Sequence, residues 1–280
     1  MPSADRSSWD TVPRLTPLDF ERPNMARLTD ALLGGRDHYA SDRAVMDQLL
    51  RVAPGARQLA RDHRDWIIRV LRLLVGERKI DQFVDLGSGM PTVDNTHQVV
   101  QRYNPEARVI YVDNDPVVQA HGRAILEEND RTHVAGCDFT ELEKALEHPD
   151  LRPHLDLTRP VALMMCSVVH HIHDHAHAAE VVQAWMKVVP SGSYLMLSHQ
   201  YDPADQSEAS ALVRTLEKMF AGTPISTTPR TREQIQAFFQ GLEYVPPGLT
   251  HPHDWWPSGP RLLPLSALNF AMLGAVARKP

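Results

Sequence analysis

Five short apolar runs, each followed by a stretch able to form a helix, constrain this chain more than any other feature. They are QFVDL (82–86), RVIYVD (108–113), THVAGC (132–137), VALMMC (161–166) and YLMLSH (194–199). A strand that is apolar without alternation is buried on both faces, which is the condition of a parallel sheet. Parallel neighbours need a long crossover, and the intervening helical stretches supply right-handed ones. Near the C-terminus the pattern changes. Thr231 and Gln234 have capping-box spacing for a helix through Phe239. LEYV (242–245) and NFAMLGAVAR (269–278) then read as two strands joined by a Pro-, His- and Trp-rich connection. A closing pair of this kind is antiparallel. The expected architecture is therefore α/β, a Rossmann-like sheet of seven strands in a five-plus-two grouping.

Residues 1–23 hold charges of mixed sign, four prolines and little periodicity, and read as a flexible arm. Residues 24–79 read as a helical segment. Asn24 can cap a first helix bearing Met25, Leu28 and Leu32 on one face, and Gly34-Gly35 supplies its left-handed stop. Ser41 can cap a second helix that Pro54-Gly55 breaks. A third carries Leu59, Trp66, Ile67, Val70, Leu71 and Leu74 as one apolar stripe. Its eight basic and three acidic side chains over 51–80 are read as a solvated face. Residues 80–280 then form the α/β domain.

The formal net charge of −6 gives no global attraction to nucleic acid or anionic membranes. The apolar run 161–166 falls far short of the ~20 residues that span a bilayer. Two cysteines cannot build a disulfide framework and fit a reducing compartment, here the cytoplasm.

The segment VDLGSGMPT (84–92) leaves the first strand. Gly87 and Gly89 allow a tight turn and let a ligand approach bare backbone. Pro91 suits the first turn of a helix whose N-terminus would offer free N–H groups. Thr92 stands where a dinucleotide fingerprint has its third glycine, which weakens the reading as an NAD-dependent oxidoreductase. Asp85, just before the turn, would repel a pyrophosphate and attract an ammonium group. Asp113 ends the second strand, 24 residues beyond Gly89, near the ~20-residue offset of a ribose-binding carboxylate. Asp115-Pro116 reads as an N-cap and first-turn proline. Asp138 ends the third strand, where it could accept from an adenine amino group. Three acidic residues at three successive strand ends outweigh any one of them, because ligands gather at that edge.

The fourth strand runs into CSVVHHIHDHAHAAE (166–180), with five of the fifteen histidines. His173 and His177 have the i, i+4 spacing that can share zinc, with Asp174 nearby. No H-E-x-x-H pattern accompanies them, so a polar helix turn is preferred and no metal is expected. His170 and His171 lie at the strand end itself and are candidate catalytic residues, as a general base or substrate orienter. Packing is the alternative. LGGRDHYASDR (33–43) could close over a ligand through Tyr39, or merely connect two helices. Trp255 and Trp256 could line a pocket; packing is favoured.

Together these strings resemble a known family. Asp85-Leu-Gly-Ser-Gly, Asp113 and Cys137-Asp138 look like motifs I, II and III of class I S-adenosylmethionine-dependent methyltransferases. More narrowly, ARLTDALLGGRDHYASDR, FVDLGSGMPT, VIYVDNDP, VVHHIHD and GSYLMLSH resemble a bacterial S-adenosyl methyltransferase family formerly catalogued as a domain of unknown function. The resemblance covers roughly residues 24–280. It implies a seven-stranded sheet with the last strand antiparallel, and a helical segment, 24–79, covering the cofactor site. It implies S-adenosylmethionine as cofactor and S-adenosylhomocysteine as product. Asp113 would bind ribose; Asp138, Asn114 and the Phe139 backbone would hold adenine. Gly87 and Gly89 would face the methionine moiety, with Asp85 near its amino group; Ser88, Ser167 and, if the 33–43 string closes over the site, Tyr39 are further candidate cofactor-binding residues. The methyl acceptor is expected to be a small molecule, with no nucleic-acid or membrane partner. A sensor that binds the cofactor without turning it over is the other alternative.

Overall fold

The computed structural model describes residues 19–257, 259–261 and 263–280. The expected arm falls mostly on residues 1–18, outside the described residues.

Seven strands form one sheet in the order β3-β2-β1-β4-β5-β7-β6. They are β1 (Gln82–Leu86), β2 (Arg108–Val112), β3 (Thr132–Ala135), β4 (Ala162–Cys166), β5 (Tyr194–Gln200), β6 (Glu243–Tyr244) and β7 (Met272–Arg278). The first five are parallel, and β7 runs antiparallel between β5 and β6. The expected grouping and the antiparallel last strand are both found. The last run begins later than expected, because residues up to Phe270 form a 3-10 turn, Ala267–Phe270, held by Ser266 and Asn269.

Strand periodicity sorts the core into two layers. Val84, Ile110, Leu163 and Leu195 face α6 (Leu142–Glu147), α7 (His175–Val188) and α9 (Arg232–Ala237), where Trp185 and Phe238 are buried. Phe83, Val109, Ala162 and Met196 face α3 (Ala56–Arg72) and α4 (Thr96–Gln101). Trp66 of α3 is fully buried there, edge-on to Trp255 at 6.3 Å. Trp255 donates from Nε1 to the carbonyls of Gly248 and Gly274, so it packs α3 against β7 as expected. Trp256 is 44% exposed.

A third apolar cluster lies apart from both layers. It joins α1 (Met25–Leu33), α2 (Ala40–Val52), the start of α3, α8 (Glu208–Phe220) and Leu268. Asn24 caps α1 as expected, accepting from the N–H groups of Ala26 and Arg27, and Gly34 ends it at φ 88°. Ser41 does not cap α2. Asp42 does, accepting from Tyr39 N–H at 2.8 Å, while Ser41 Oγ donates to the Phe20 carbonyl. Asp42 also receives Arg27 Nε at 2.8 Å, with both side chains almost wholly buried. Such a pair needs its remaining groups satisfied; Arg27 donates further to the carbonyls of Arg22 and Asp19. These bonds tie residues 19–24 to the helices. A last helix, α5 (Pro116–Ile125), follows β2 with Asp115 as its cap and Pro116 at its first position, as read from the sequence.

Candidate active site

A cleft of about 830 Å³ opens where the carboxyl ends of β1, β2, β4 and β5 meet the helical cluster of α1, α3 and α8. Its sheet-side rim is built by the glycine turn. Gly87 and Gly89 have φ of 71° and 69°, the left-handed region that favours glycine. At Gly87 a Cβ would lie 2.3 Å from Val168. The turn is fixed by N–H groups of Gly87 and Ser88 donating to the Val112 carbonyl.

The helix expected straight after this turn starts later. Residues 90–95 form a loop in which Asp94 takes φ 57°, and α4 begins only at Thr96. Asn95 causes the delay. Its side chain accepts from Thr92 N–H, and its own N–H donates to Gln98, closing a capping box. Pro91 is therefore a loop residue, and the α4 N-terminus reaches the cleft through its cap Asn95 and through Thr96. Thr96 Oγ1 donates to Asp85 Oδ2 at 2.9 Å. Burial pushes the Asp85 carboxyl up to about 6, with the nearby Asp113 adding to the rise and Thr96 and Arg64 opposing it.

Asp113 and Asp138 both line the cleft. Asp113 accepts from Gly89 N–H at 2.9 Å through one oxygen and from Asp115 N–H at 3.0 Å through the other. Burial raises its carboxyl above the usual range. Asp138 accepts from Thr140 and, at 3.3 Å, from Asn114 Nδ2, so the two expected adenine-side residues meet. Phe139 is buried beside them and its carbonyl receives Trp185 Nε1. Ser167 takes φ 58° and its hydroxyl lies 3.3 Å from that of Ser198.

Tyr39 is not among the residues lining the cleft. Its ring packs on Phe20 at 4.4 Å and lies under the Arg27 guanidinium. The Asp42 cap fixes Tyr39 at the start of α2, which turns the ring toward the 19–24 segment. Asn24 instead bridges the helical segment to the sheet, donating to Asp115 Oδ2 at 2.6 Å.

His170 and His171 sit in a 3-10 turn, Val169–His171, that continues β4, and both line the cleft. His171 Nδ1 is 3.1 Å from the Ser226 carbonyl. His170 is 3% exposed and its Nδ1 has no partner among the described residues. Behind them Arg230, also buried, donates to the carbonyls of Val169 and Ile172 and to His199 Nε2 at 2.7 Å. His199 must then be neutral, its Nδ1–H donating to the Gln200 carbonyl; burial drives it down to about 3. His173 pairs with Thr228, and His177 lies beside Glu180. The two do not meet, and no cluster able to hold a metal ion occurs among the described residues.

Two cleft residues escaped the sequence reading. His63 and Arg64 lie in the basic stretch read as a solvated face, yet both line the cleft. His63 Nε2 is 2.7 Å from Ser198 Oγ, and burial lowers it to about 4. Arg64 donates to the Asp94 carbonyl, and its Nε is buried with no partner among the described residues. The signal was present only as spacing: both adjoin Trp66 and Ile67, the buried face of α3.

This strand order, a left-handed glycine turn and acidic side chains at three successive strand ends define a class I methyltransferase-type α/β protein. The profile of the S-adenosyl methyltransferase family matches residues 13–280. The chain belongs to that family and is an S-adenosylmethionine-dependent methyltransferase. Two solved structures are similar over nearly their whole length. One is a DUF574 family protein from Streptomyces avermitilis MA-4680, 36% identical, with TM-score 0.87 over 94% of this chain and 99% of that one. The other, from Thermobifida fusca YX and provisionally named a methyltransferase, is 37% identical, with TM-score 0.86 over 93% and 96%. No curated protein matches the chain. No helix among the described residues is long and apolar enough to cross a membrane.

Proposed function

We propose that this methyltransferase acts on a small molecule, holding its cofactor at the acidic rim and its acceptor against the end of β4. One observation carries the reading: Asp85, Asp113 and Asp138, from three strand ends, converge on a single cleft that also holds the left-handed Gly87 and Gly89. The residues present fit S-adenosylmethionine. The Gly87 cradle has no room for a Cβ. A buried carboxylate, Asp85, and a guanidinium with an unpaired Nε, Arg64, flank the turn and complement a zwitterionic amino acid.

When bound, S-adenosylmethionine supplies an electrophilic methyl group; its carbon bonds to the acceptor atom, the C–S electron pair stays on sulfur, and S-adenosylhomocysteine remains. Everything else falls to the chain. Asp113 keeps a lone pair on each oxygen beyond its two backbone bonds and accepts from the ribose hydroxyls. Asp138, Asn114 and the Phe139 backbone bracket adenine. Asp85 takes the ammonium, and Ser88 and Ser167 border the methionine moiety. His170 orients the acceptor and receives its proton, since its ring lines the cleft and Nδ1 is unpaired, whereas His171 is held by Ser226. A small acceptor is supported by the net charge of −6, which offers no attraction to nucleic acid.

Calorimetry with S-adenosylhomocysteine tests the assignment. Asp113→Ala removes two charge-assisted bonds to ribose at ~1.5 kcal/mol each, so affinity should fall about 100-fold. An unchanged affinity, or tighter binding of NAD than of the sulfonium cofactor, refutes it.

A further inference from the structure

The two ends of the cleft differ chemically. The acidic rim carries Asp85, Asp113 and Asp138. The opposite wall is Leu28, Leu32, Leu59, Leu216, Phe220 and Leu268, contributed by α1, α3, α8 and the turn before β7. No ionisable side chain stands among those six. Asp30, the carboxylate that α1 adds to the cleft, lies outside this group and accepts from the Asp37 N–H at 2.9 Å and His38 at 3.0 Å, both through Oδ2. Where the wall meets the sheet stand His170 and Gln200. Gln200 Oε1 accepts from Thr227, which leaves its amide N–H groups to donate.

Resting on the functional reading above, we propose that this apolar lobe receives an uncharged, largely apolar small molecule whose acidic hydroxyl, phenolic or enolic, lies against His170. None of these six side chains offers a counter-ion, so a charge set against them would be buried unpaired, which is costly. The acidity of the hydroxyl follows from what surrounds His170. His171 lies tilted beside its ring at 4.7 Å and His199 edge-on at 5.5 Å, Arg230 donates to His199 behind it, and no carboxylate among the described residues is hydrogen-bonded to it. A proton taken up there has no anion to hold it, and burial together with His171, His199, Arg230 and His63 depresses its basicity. Such an imidazole is matched to a hydroxyl that titrates near ~10, as a phenol does, and not to an aliphatic alcohol.

The test uses the full chain saturated with S-adenosylhomocysteine and three naphthalene probes read by calorimetry. 2-Naphthol should bind at least tenfold more tightly than 2-naphthalenesulfonate. Ala60→Trp on α3 and Leu216→Trp on α8, which fill the lobe from two different helices, should each weaken 2-naphthol at least tenfold while S-adenosylhomocysteine affinity stays within twofold. That retained affinity also shows each variant is folded. In His170→Phe the preference for 2-naphthol over 2-methoxynaphthalene should vanish. The inference is overturned if 2-naphthol does not bind, if the sulfonate binds equally well, if both filled variants keep 2-naphthol affinity, or if the preference survives without His170. Failure of S-adenosylhomocysteine to bind the wild type instead overturns the underlying functional reading, and this inference with it.

Discussion

The two ends of the cleft are built in opposite ways. At the acidic rim the bonds run within a turn or between adjacent strand ends: Asp113 with Asp115 and Gly89, Asp138 with Thr140, Gly87 and Ser88 with the Val112 carbonyl. At the β4 end the supports come from far along the chain. Arg230 holds carbonyls of residues 169 and 172 together with His199, and Ser226 and Thr228 clasp the histidine turn. The apolar wall joins residues as distant as Leu28 and Leu268. A rim set by bonds between adjacent parallel strands keeps its geometry when helical packing changes; the acceptor end does not. This lets one cofactor site serve different acceptors through changes confined to the helical wall.

The strongest challenge to that contrast is Arg230→Met. It leaves His199 Nε2 and two buried carbonyls without a donor, so urea unfolding should show a loss of roughly 3 kcal/mol. Cofactor affinity in the folded protein should nevertheless stay within about threefold, since Arg230 touches nothing at the acidic rim. A parallel collapse of cofactor binding would erase the distinction between the two ends.

Gly87→Ala probes the other end. The new methyl meets Val168 at 2.3 Å at a φ of 71°. A stability loss of about 2 kcal/mol is expected from overpacking and backbone strain, accompanied by loss of cofactor affinity. Adding Val168→Ala should restore the part due to overpacking and leave the part due to φ. Full restoration would mean that the left-handed backbone carries no cost there.

The smallest effect concerns pH. Asp85 titrates near 6 in the folded protein instead of 3.8. Between those values the folded chain holds a proton that the unfolded chain has lost, so stability of the cofactor-free protein falls as pH rises from about 4 to about 6. Binding runs the other way. An ammonium group needs the ionised carboxylate, so cofactor affinity should rise up to tenfold between about pH 5 and pH 6.5. Asp85→Asn should flatten both profiles. Thr96→Val, which removes a bond to the ionised form, should move the midpoint to higher pH. A flat profile in the wild type would remove Asp85 from the ammonium site.

The expected roles of Asn24 and Tyr39 show where sequence reading stops. Asn24 was legible as a helix cap, because a cap is decided within three residues. That its amide also reaches Asp115, 91 positions away, is not a local property. Tyr39 sits in a glycine-hinged string suggestive of a lid, yet the Arg27–Asp42 pair decides that its ring packs on Phe20. Likewise Pro91 satisfies the local rule for a helix start, and the Asn95–Gln98 box wins because it satisfies donors that Pro91 cannot.

Sequence alone determined the parallel sheet, the strand that closes it, the three carboxylates at its edge and the family. Each of these follows from periodicity or from short-range spacing, which the chain carries wherever it folds. Tertiary structure decided that His63 and Arg64 face the cleft, that Tyr39 does not, that His170 is left unpaired while His171 is held, and that an apolar wall faces the acidic rim. Those outcomes depend on which distant helices pack together, and packing is settled by the shape and burial of the whole chain at once.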